Sequence, residues 1–181
     1  MSRIISGRYG GLYIANPKHK IRPTTGKVKE YIFNVLQNLE GHCVIDLFCG
    51  TGALGIEALS RYADHVSFID NNTQSIRLTK SNLDSIKAPA DTWKCMKYNA
   101  LKYFEKNENE YDLILADPPY DLELNAAFFQ SCREHLKPGA LLVLEYSSRG
   151  KIETGEWEAS KVKKMGDTTV YFFFKNRQVK R

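Results

Sequence analysis

The sequence predicts an α/β fold. Its core is a mostly parallel sheet covered by helices on both faces, with an antiparallel hairpin at the C-terminal edge and a small β-hairpin extension at the N-terminus. Three observations carry this reading. From residue 42 onward, short apolar runs alternate with stretches of helical apolar spacing, the rhythm of strands buried on both faces between covering helices. After Pro138-Gly139 the pattern changes to two strand-like runs, 160–165 and 168–174, around a Gly166-Asp167 turn. Ahead of the alternation, residues 3–14 (RIISGRYGGLYI) place apolar and aromatic residues around Gly7 and Gly10-Gly11, a hairpin pattern.

The elements follow in order. Residues 16–23 read as a loop, and Thr24 or Thr25 can cap the helix after it. In that helix Val28, Ile32, Val35, Leu36 and Leu39 form one apolar stripe. Strands are expected near 42–47, 65–69, 92–97, 111–116 and 140–146, and helices near 53–61, 72–86, 100–107 and 121–136.

By length the 181 residues make one folded unit, divided into a basic N-terminal arm (1–23) and a body (24–181). Hydrophobic content of 43% and charged content of 26% suit a soluble protein. No apolar run approaches the roughly 20 residues of a membrane span, and MSRIISGRYGG lacks a signal-peptide core, so a cytoplasmic location is expected. Cys43, Cys49, Cys95 and Cys132 are scattered and read as reduced thiols; they and the dispersed histidines show no metal-binding spacing. A monomer is the default expectation.

Charge placement is more informative than net charge. Residues 1–30 hold seven Lys/Arg against one acid, whereas the remaining chain holds 19 against 20. Such asymmetry suggests a polyanion-binding arm. Arg3, Arg8, Tyr9 and Tyr13 mix positive charge with flat rings, a pairing suited to RNA, and Lys18 and Lys20 extend the charge along the loop. Lys27 and Lys29 stand in the first helical turn, where the dipole disfavours cations, as though phosphate lay nearby.

The central stretch is CVIDLFCGTGALGIEAL, residues 43–59: a buried strand, a glycine turn, then a helix. That order brings backbone up to a nucleotide-like ligand, and Gly50-x-Gly52-x-x-Gly55 also matches the dinucleotide fingerprint. Asp46, just before the loop, points elsewhere. A carboxylate there repels a pyrophosphate and attracts a sulfonium with an α-amino group, which favours S-adenosylmethionine. Asp70 ends the next strand (HVSFID), where a carboxylate can accept both ribose hydroxyls, with Asn71 beside it. Asn99 follows the third strand, where its amide and the Ala100 backbone can read an adenine ring.

Asp117-Pro118-Pro119-Tyr120 follows the apolar strand LILA, so it sits at the same sheet edge. Two prolines make a stiff elbow that aims groups without entropy loss. The chemistry that needs this is methylation of an exocyclic amine on a planar base, whose lone pair is delocalised into the ring. A carboxylate of Asp117 and the Pro118 carbonyl, each accepting an N–H, point that lone pair at the methyl group, while Tyr120 stacks on the base.

The DLFCGTG loop, Asp70 and DPPY resemble class I, Rossmann-like S-adenosylmethionine-dependent methyltransferases acting on amino groups. More narrowly, RIISGRYGG, RPTTGKVKEYIFNVL and DLFCGTGALGIEALSR resemble the RsmD family, over residues 3 to about 174. The resemblance implies transfer of a methyl group to the N2 amine of one guanine in bacterial small-subunit ribosomal RNA. It places Arg22, Pro23 and Thr24 over a cofactor pocket that includes Asp46, Phe48, Gly50 and Gly52, and it puts the N-terminal hairpin on RNA. The family usually carries glutamate where Asp70 stands, and alanine and serine where Cys49 and Thr51 stand. A shorter carboxylate still reaches a ribose if the strand shifts slightly, and Cys and Thr remain small. DPPY alone also fits DNA adenine-N6 methylation, and a non-catalytic RNA-binding module is a reading of a different class. A nicotinamide oxidoreductase is disfavoured by Asp46. Glu57, on the helix after the glycine loop, reads as part of a solvated face, and Trp93 and Trp157 as packing residues.

Overall fold

In the computed structural model, which describes residues 1–17 and 26–176, a seven-stranded sheet carries the protein. The N-terminal strands β1 (Ser2–Arg3) and β2 (Tyr13–Ile14) form a separate two-stranded hairpin, and α1 (Gly26–Leu36) follows. The alternating core is β3 (Cys43–Leu47), α2 (Ala53–Ser60), β4 (His65–Asp70), α3 (Thr73–Ser85) and β5 (Trp93–Lys97). A 3₁₀ helix (Ala100–Lys106), β6 (Tyr111–Ala116), α4 (Ala126–Glu134), β7 (Leu136–Ser147), β8 (Lys161–Met165) and β9 (Thr168–Phe174) complete it. The strand order is β5-β4-β3-β6-β7-β9-β8, parallel through the first five and antiparallel where β9 meets β7 and β8. This is the predicted α/β architecture.

The chain winds outward from β3 to β4 and β5, then returns to place β6 on the other side of β3. That reversal opens a crevice at the carboxyl ends of β3 and β6, the place where open α/β sheets bind ligands. Val44, Ile45 and Leu47 of β3 and Leu113, Ile114 and Leu115 of β6 are buried, as central strands covered on both faces require. One apolar layer joins the hairpin, α1, α2 and α3 on one face; a second joins the 3₁₀ helix, α4 and Trp157 on the other. The N-terminal segment belongs to the first layer, for Ile4 and Ile14 are fully buried in it.

All eight residues of α2 are buried, which its near-continuous apolar sequence demands. Gly55 lets α2 lie directly on β4: a Cβ there would stand 2.3 Å from Phe68 Cε1 and 3.0 Å from Asp46 Oδ2. The helix expected at 121–136 is shorter. Asn125 caps it, its side chain accepting from the Phe128 N–H, while Leu124 pairs with Ile152 as an isolated bridge. The sequence of 136–139 joins β7, although Pro138-Gly139 had marked its start at 140. The run 100–107 coils as a 3₁₀ helix rather than an α-helix, capped by Asn99. Thr24 and Thr25, the expected caps of α1, lie outside the described residues.

Candidate active site

The carboxyl ends of the parallel strands converge on one cavity of about 560 Å³, within the range of small-molecule sites. Asp46, Phe48, Gly50, Asp70, Asn71, Asn99, Ala100 and all of Asp117-Pro118-Pro119-Tyr120 line it. Eleven sequence-predicted positions, drawn from four strands and spanning 75 residues of chain, therefore share one cavity. Gly52 is not among them. It takes φ +77 at the start of α2, and a Cβ there would meet Thr79 Cγ2 at 2.8 Å, so its role is the turn and its packing rather than ligand approach. Arg22, Pro23 and Thr24 lie outside the described residues.

Local chemistry fixes the loop. Phe48 adopts φ +62, a left-handed conformation costing a bulky side chain about 1–3 kcal/mol, and such strain gathers at ligand sites. Its neighbour Cys49 donates its N–H to Ile69 O, and Thr79 Oγ1 donates to Gly50 O at 3.0 Å. Asp70 holds the same loop from the other strand. One oxygen accepts the Gly50 N–H (2.9 Å) and the other the Asn72 N–H (2.8 Å). A carboxylate has about four acceptor positions, so each oxygen keeps one for a pair of hydroxyls. The shorter aspartate thus reaches both the loop and the cavity.

Asp46 is buried, and its Oδ2 accepts the Gly55 N–H at 2.8 Å. Burial pushes its carboxyl up to about 8; the Gly55 hydrogen bond opposes the rise, and the charges of Asp117 and Asp70 add to it. Three carboxylates facing one cavity create a site that welcomes a cation and resists a polyphosphate. Asn99 is exposed and commits its Oδ1 to the Leu101 N–H at 2.9 Å, so its amide NH₂ donors are what it offers a ligand.

At the opposite wall the elbow is held in place. Pro118 is buried, Pro119 is exposed, and Tyr120, 38% exposed, hydrogen-bonds through its hydroxyl to Thr168 Oγ1 at 2.7 Å. Thr168 Oγ1 in turn reaches Glu145 Oε1 at 3.2 Å. Glu145 and Thr168, at the cavity ends of β7 and β9, were missed from the sequence. A signal existed for Glu145: it is the single charge in the apolar run ALLVLEY.

The expected RNA-contacting set divides. Arg3, Arg8 and Lys27 are exposed. Lys29 is not at a phosphate-facing surface. It is 1% exposed, its Nζ donates to Arg3 O at 2.8 Å and lies 3.3 Å from Glu57 Oε2. That carboxylate, rather than phosphate, compensates the cation at the helix start. Tyr9 is also corrected: its ring is buried in the core, and its N–H donates to Ser60 Oγ, which withdraws it from base stacking. Glu57 is fully buried rather than solvated, accepting from the Ile5 and Ser6 N–H groups and from Arg61 Nε. Lys18 and Lys20 lie outside the described residues. Trp157 packs in the core as expected, its indole N–H donating to Phe174 O. Among the described residues no group of His, Cys, Asp or Glu could hold a metal ion, and no helix is long and apolar enough to cross a membrane.

A parallel sheet reversing at β3 and β6, an antiparallel β9 beside β7, and acidic strand ends around one cavity define a class I methyltransferase fold. Comparison with known proteins narrows the class. The family model described as "Conserved hypothetical protein 95" matches residues 2–174. Ribosomal RNA small subunit methyltransferase D of Haemophilus influenzae is 32% identical over 173 residues, covering 91% of this chain and 89% of that protein. The chain belongs to this family, the RsmD family. YlbH of Bacillus subtilis is 40% identical over 122 residues, 65% of this chain and 66% of YlbH. The solved structure of Escherichia coli yhhF superposes with a TM-score of 0.83 at 27% identity, covering 97% of this chain and 98% of that one. An RNA methyltransferase from Salinibacter ruber in complex with S-adenosyl-L-homocysteine shares the fold, with a TM-score of 0.68 at 18% identity, covering 87% of this chain and 95% of that one.

Proposed function

We propose that the protein transfers the methyl group of S-adenosylmethionine to the exocyclic N2 amine of a guanine in small-subunit ribosomal RNA. The observation that carries the reading is the single cavity shared by Asp46 and Asp70 on one side and the Asp117–Tyr120 elbow on the other. Membership of the RsmD family supports the substrate class.

The donor set fits the cofactor. Asp70, with one acceptor position left on each oxygen, holds the ribose hydroxyls, and Asn99 with the Ala100 backbone meets the adenine. Asp46 lies at the amino acid end, where an ammonium lowers the cost of its ionisation. When bound, S-adenosylmethionine supplies a methyl group made electrophilic by its sulfonium.

The chain's own residues do the rest. Asp117 accepts one N–H of the guanine amine and the Pro118 carbonyl the other, drawing the nitrogen lone pair out of the ring and toward the methyl group. Tyr120 stacks on the base, oriented by its hydroxyl bond to Thr168. After transfer the nitrogen carries one proton too many, and the Asp117 carboxylate is placed to take it. Catalysis is therefore positioning and charge placement. The elbow's prolines keep that geometry without an entropic cost at each turnover. A base already unpaired or flipped out enters the cavity at least cost. The protein acts as a monomer in the cytoplasm on folded or protein-bound RNA.

The test is transfer of labelled methyl to small-subunit particles lacking the modification, with the product nucleoside identified by mass. N2-methylguanine supports the reading. Label in N6-methyladenine of DNA instead, with none in the particles, overturns it.

A further inference from the structure

We infer that the edge strand β8 and the first turn of α1 form a second RNA-phosphate surface at the mouth of the cavity, centred on Lys27, Lys163 and Lys164. This rests on the proposed reaction, since the partner is the RNA that presents the target base.

Geometry separates this surface from the N-terminal hairpin. Arg8 Cζ stands 5.6 Å over the Tyr62 ring, and the Arg8 N–H donates to Ser60 O, so Arg8 is held at the C-terminal end of α2. The cavity is at the other end, where Ala53 and Leu54 line it. Seven residues of helix from Ala53 to Ser60 amount to about 10 Å. Arg8 is thus carried away from the reacting base.

The lysines of β8 lie closer. Met165, the last residue of β8, and Thr168, its register partner on β9, both line the cavity. Lys163 shares Met165's face of the sheet and precedes it by two residues, about 7 Å along the strand, whereas Lys164, adjacent to Met165, stands on the opposite face of this edge strand. On α1, Val28 lines the cavity and Lys27 is its exposed neighbour. Lys163 and Lys164 are exposed, and among the described residues neither forms an ion pair. Lys161 is already engaged, its Nζ 5.6 Å from the Tyr31 ring centroid and 5.9 Å from that of Phe172. The run KVKK holds no acid, and Val162 beside it is 54% exposed. Positive charge beside a cavity built to receive one base of a polyanion matches the phosphates flanking that base.

Lysines on an edge strand also discourage strand-to-strand aggregation, so the variant must keep that function while losing phosphate affinity. Paired charge reversal, Lys163→Glu with Lys164→Glu, does so. Binding of protein-free small-subunit ribosomal RNA is measured against potassium chloride concentration, alongside S-adenosyl-L-homocysteine affinity and methyl transfer. Two lost phosphate contacts predict a salt slope shallower by about 1.5 and an affinity loss of about tenfold or more at low salt. KM for RNA rises accordingly, while S-adenosyl-L-homocysteine affinity and kcat at saturating RNA stay at wild-type values. An active wild type with an indistinguishable variant overturns this surface and leaves the proposed reaction standing. Unchanged binding of protein-free RNA with weakened methylation of whole particles also overturns it, assigning the lysines to a ribosomal protein. A wild type that methylates no RNA overturns the reaction and this surface together.

Discussion

Glu57 offers the sharpest test of how the N-terminal segment is fastened to the methyltransferase fold. Its carboxylate is fully buried and meets four donors: the Ile5 N–H at 2.8 Å, the Ser6 N–H at 3.2 Å, Lys29 Nζ at 3.3 Å and Arg61 Nε at 3.1 Å. Glu57→Gln keeps the volume and removes the charge. Lys29, 1% exposed, then loses the partner that offsets its desolvation. Breaking a buried pair from one side costs about 3–5 kcal/mol. For a chain of this size that is a fall in Tm of roughly 10 °C or more. The pH dependence gives a second signature. Burial already holds Lys29 below its ordinary value while Glu57 pulls it back up. Without Glu57 the folded-state value falls further, so the unfolded state binds more protons between that value and about 10.4. The variant's stability then rises with pH across that window, by at most about 1.4 kcal/mol per pH unit. Chemical denaturation at pH 7 and pH 9, with amide exchange at Ile5 and Ser6, reads both effects. A loss under about 1 kcal/mol with no recovery at pH 9 would refute the idea that this buried pair clamps the hairpin.

Other perturbations probe the site. With Asp46 pushed up to about 8, the folded ligand-free protein binds more protons than the unfolded chain from about pH 4 to 8. Its contribution to stability is therefore fully present below pH 4 and lost as pH rises to 8. Asp46→Asn should flatten that fall in denaturation curves taken across this window. Gly55→Ala drives a methyl group against Phe68 and should cost about 1–3 kcal/mol, measured by urea unfolding, because neither the ring nor the helix can retreat. Tyr120→Phe deletes the hydroxyl bond to Thr168 but keeps the ring, so it should lower turnover far less than Tyr120→Ala. Equal losses in the two variants would remove stacking from the account.

The features legible in the sequence share a physical cause. Parallel strands buried on both faces must be nearly pure apolar runs, so the polar residues that end them, Asp70 and Asp117, stand out and are bound to gather at one sheet edge. The turn glycines and the elbow prolines are local devices, readable within a few residues. What escaped depends on partners distant in the chain. Glu57 and Lys29 look like ordinary charges on helices until the N-terminal segment closes over them, Ile5 and Ser6 from 52 and 51 residues away on Glu57 and Arg3 from 26 residues away on Lys29. Tyr9 pairs charge and ring in sequence, yet the hairpin folds it inward. Glu145 and Thr168 reach the cavity only because β7 lies beside β6 and β9 beside β7, an order no local pattern encodes. The late start of the helix expected at 121–136 was within reach, for Asn125 is a good N-cap.

In the proposed reaction Asp117 works on the target amine and the opposite wall on the cofactor. This division is tested most directly by comparing Asp117→Ala with wild type for S-adenosyl-L-homocysteine affinity and for methyl transfer to unmodified small-subunit particles. The expected result is an affinity within about twofold of wild type and a turnover lower by about 10²-fold or more, since positioning and proton acceptance are lost together. Cofactor affinity collapsing alongside turnover, or N2-methylguanine forming at an undiminished rate, would contradict it.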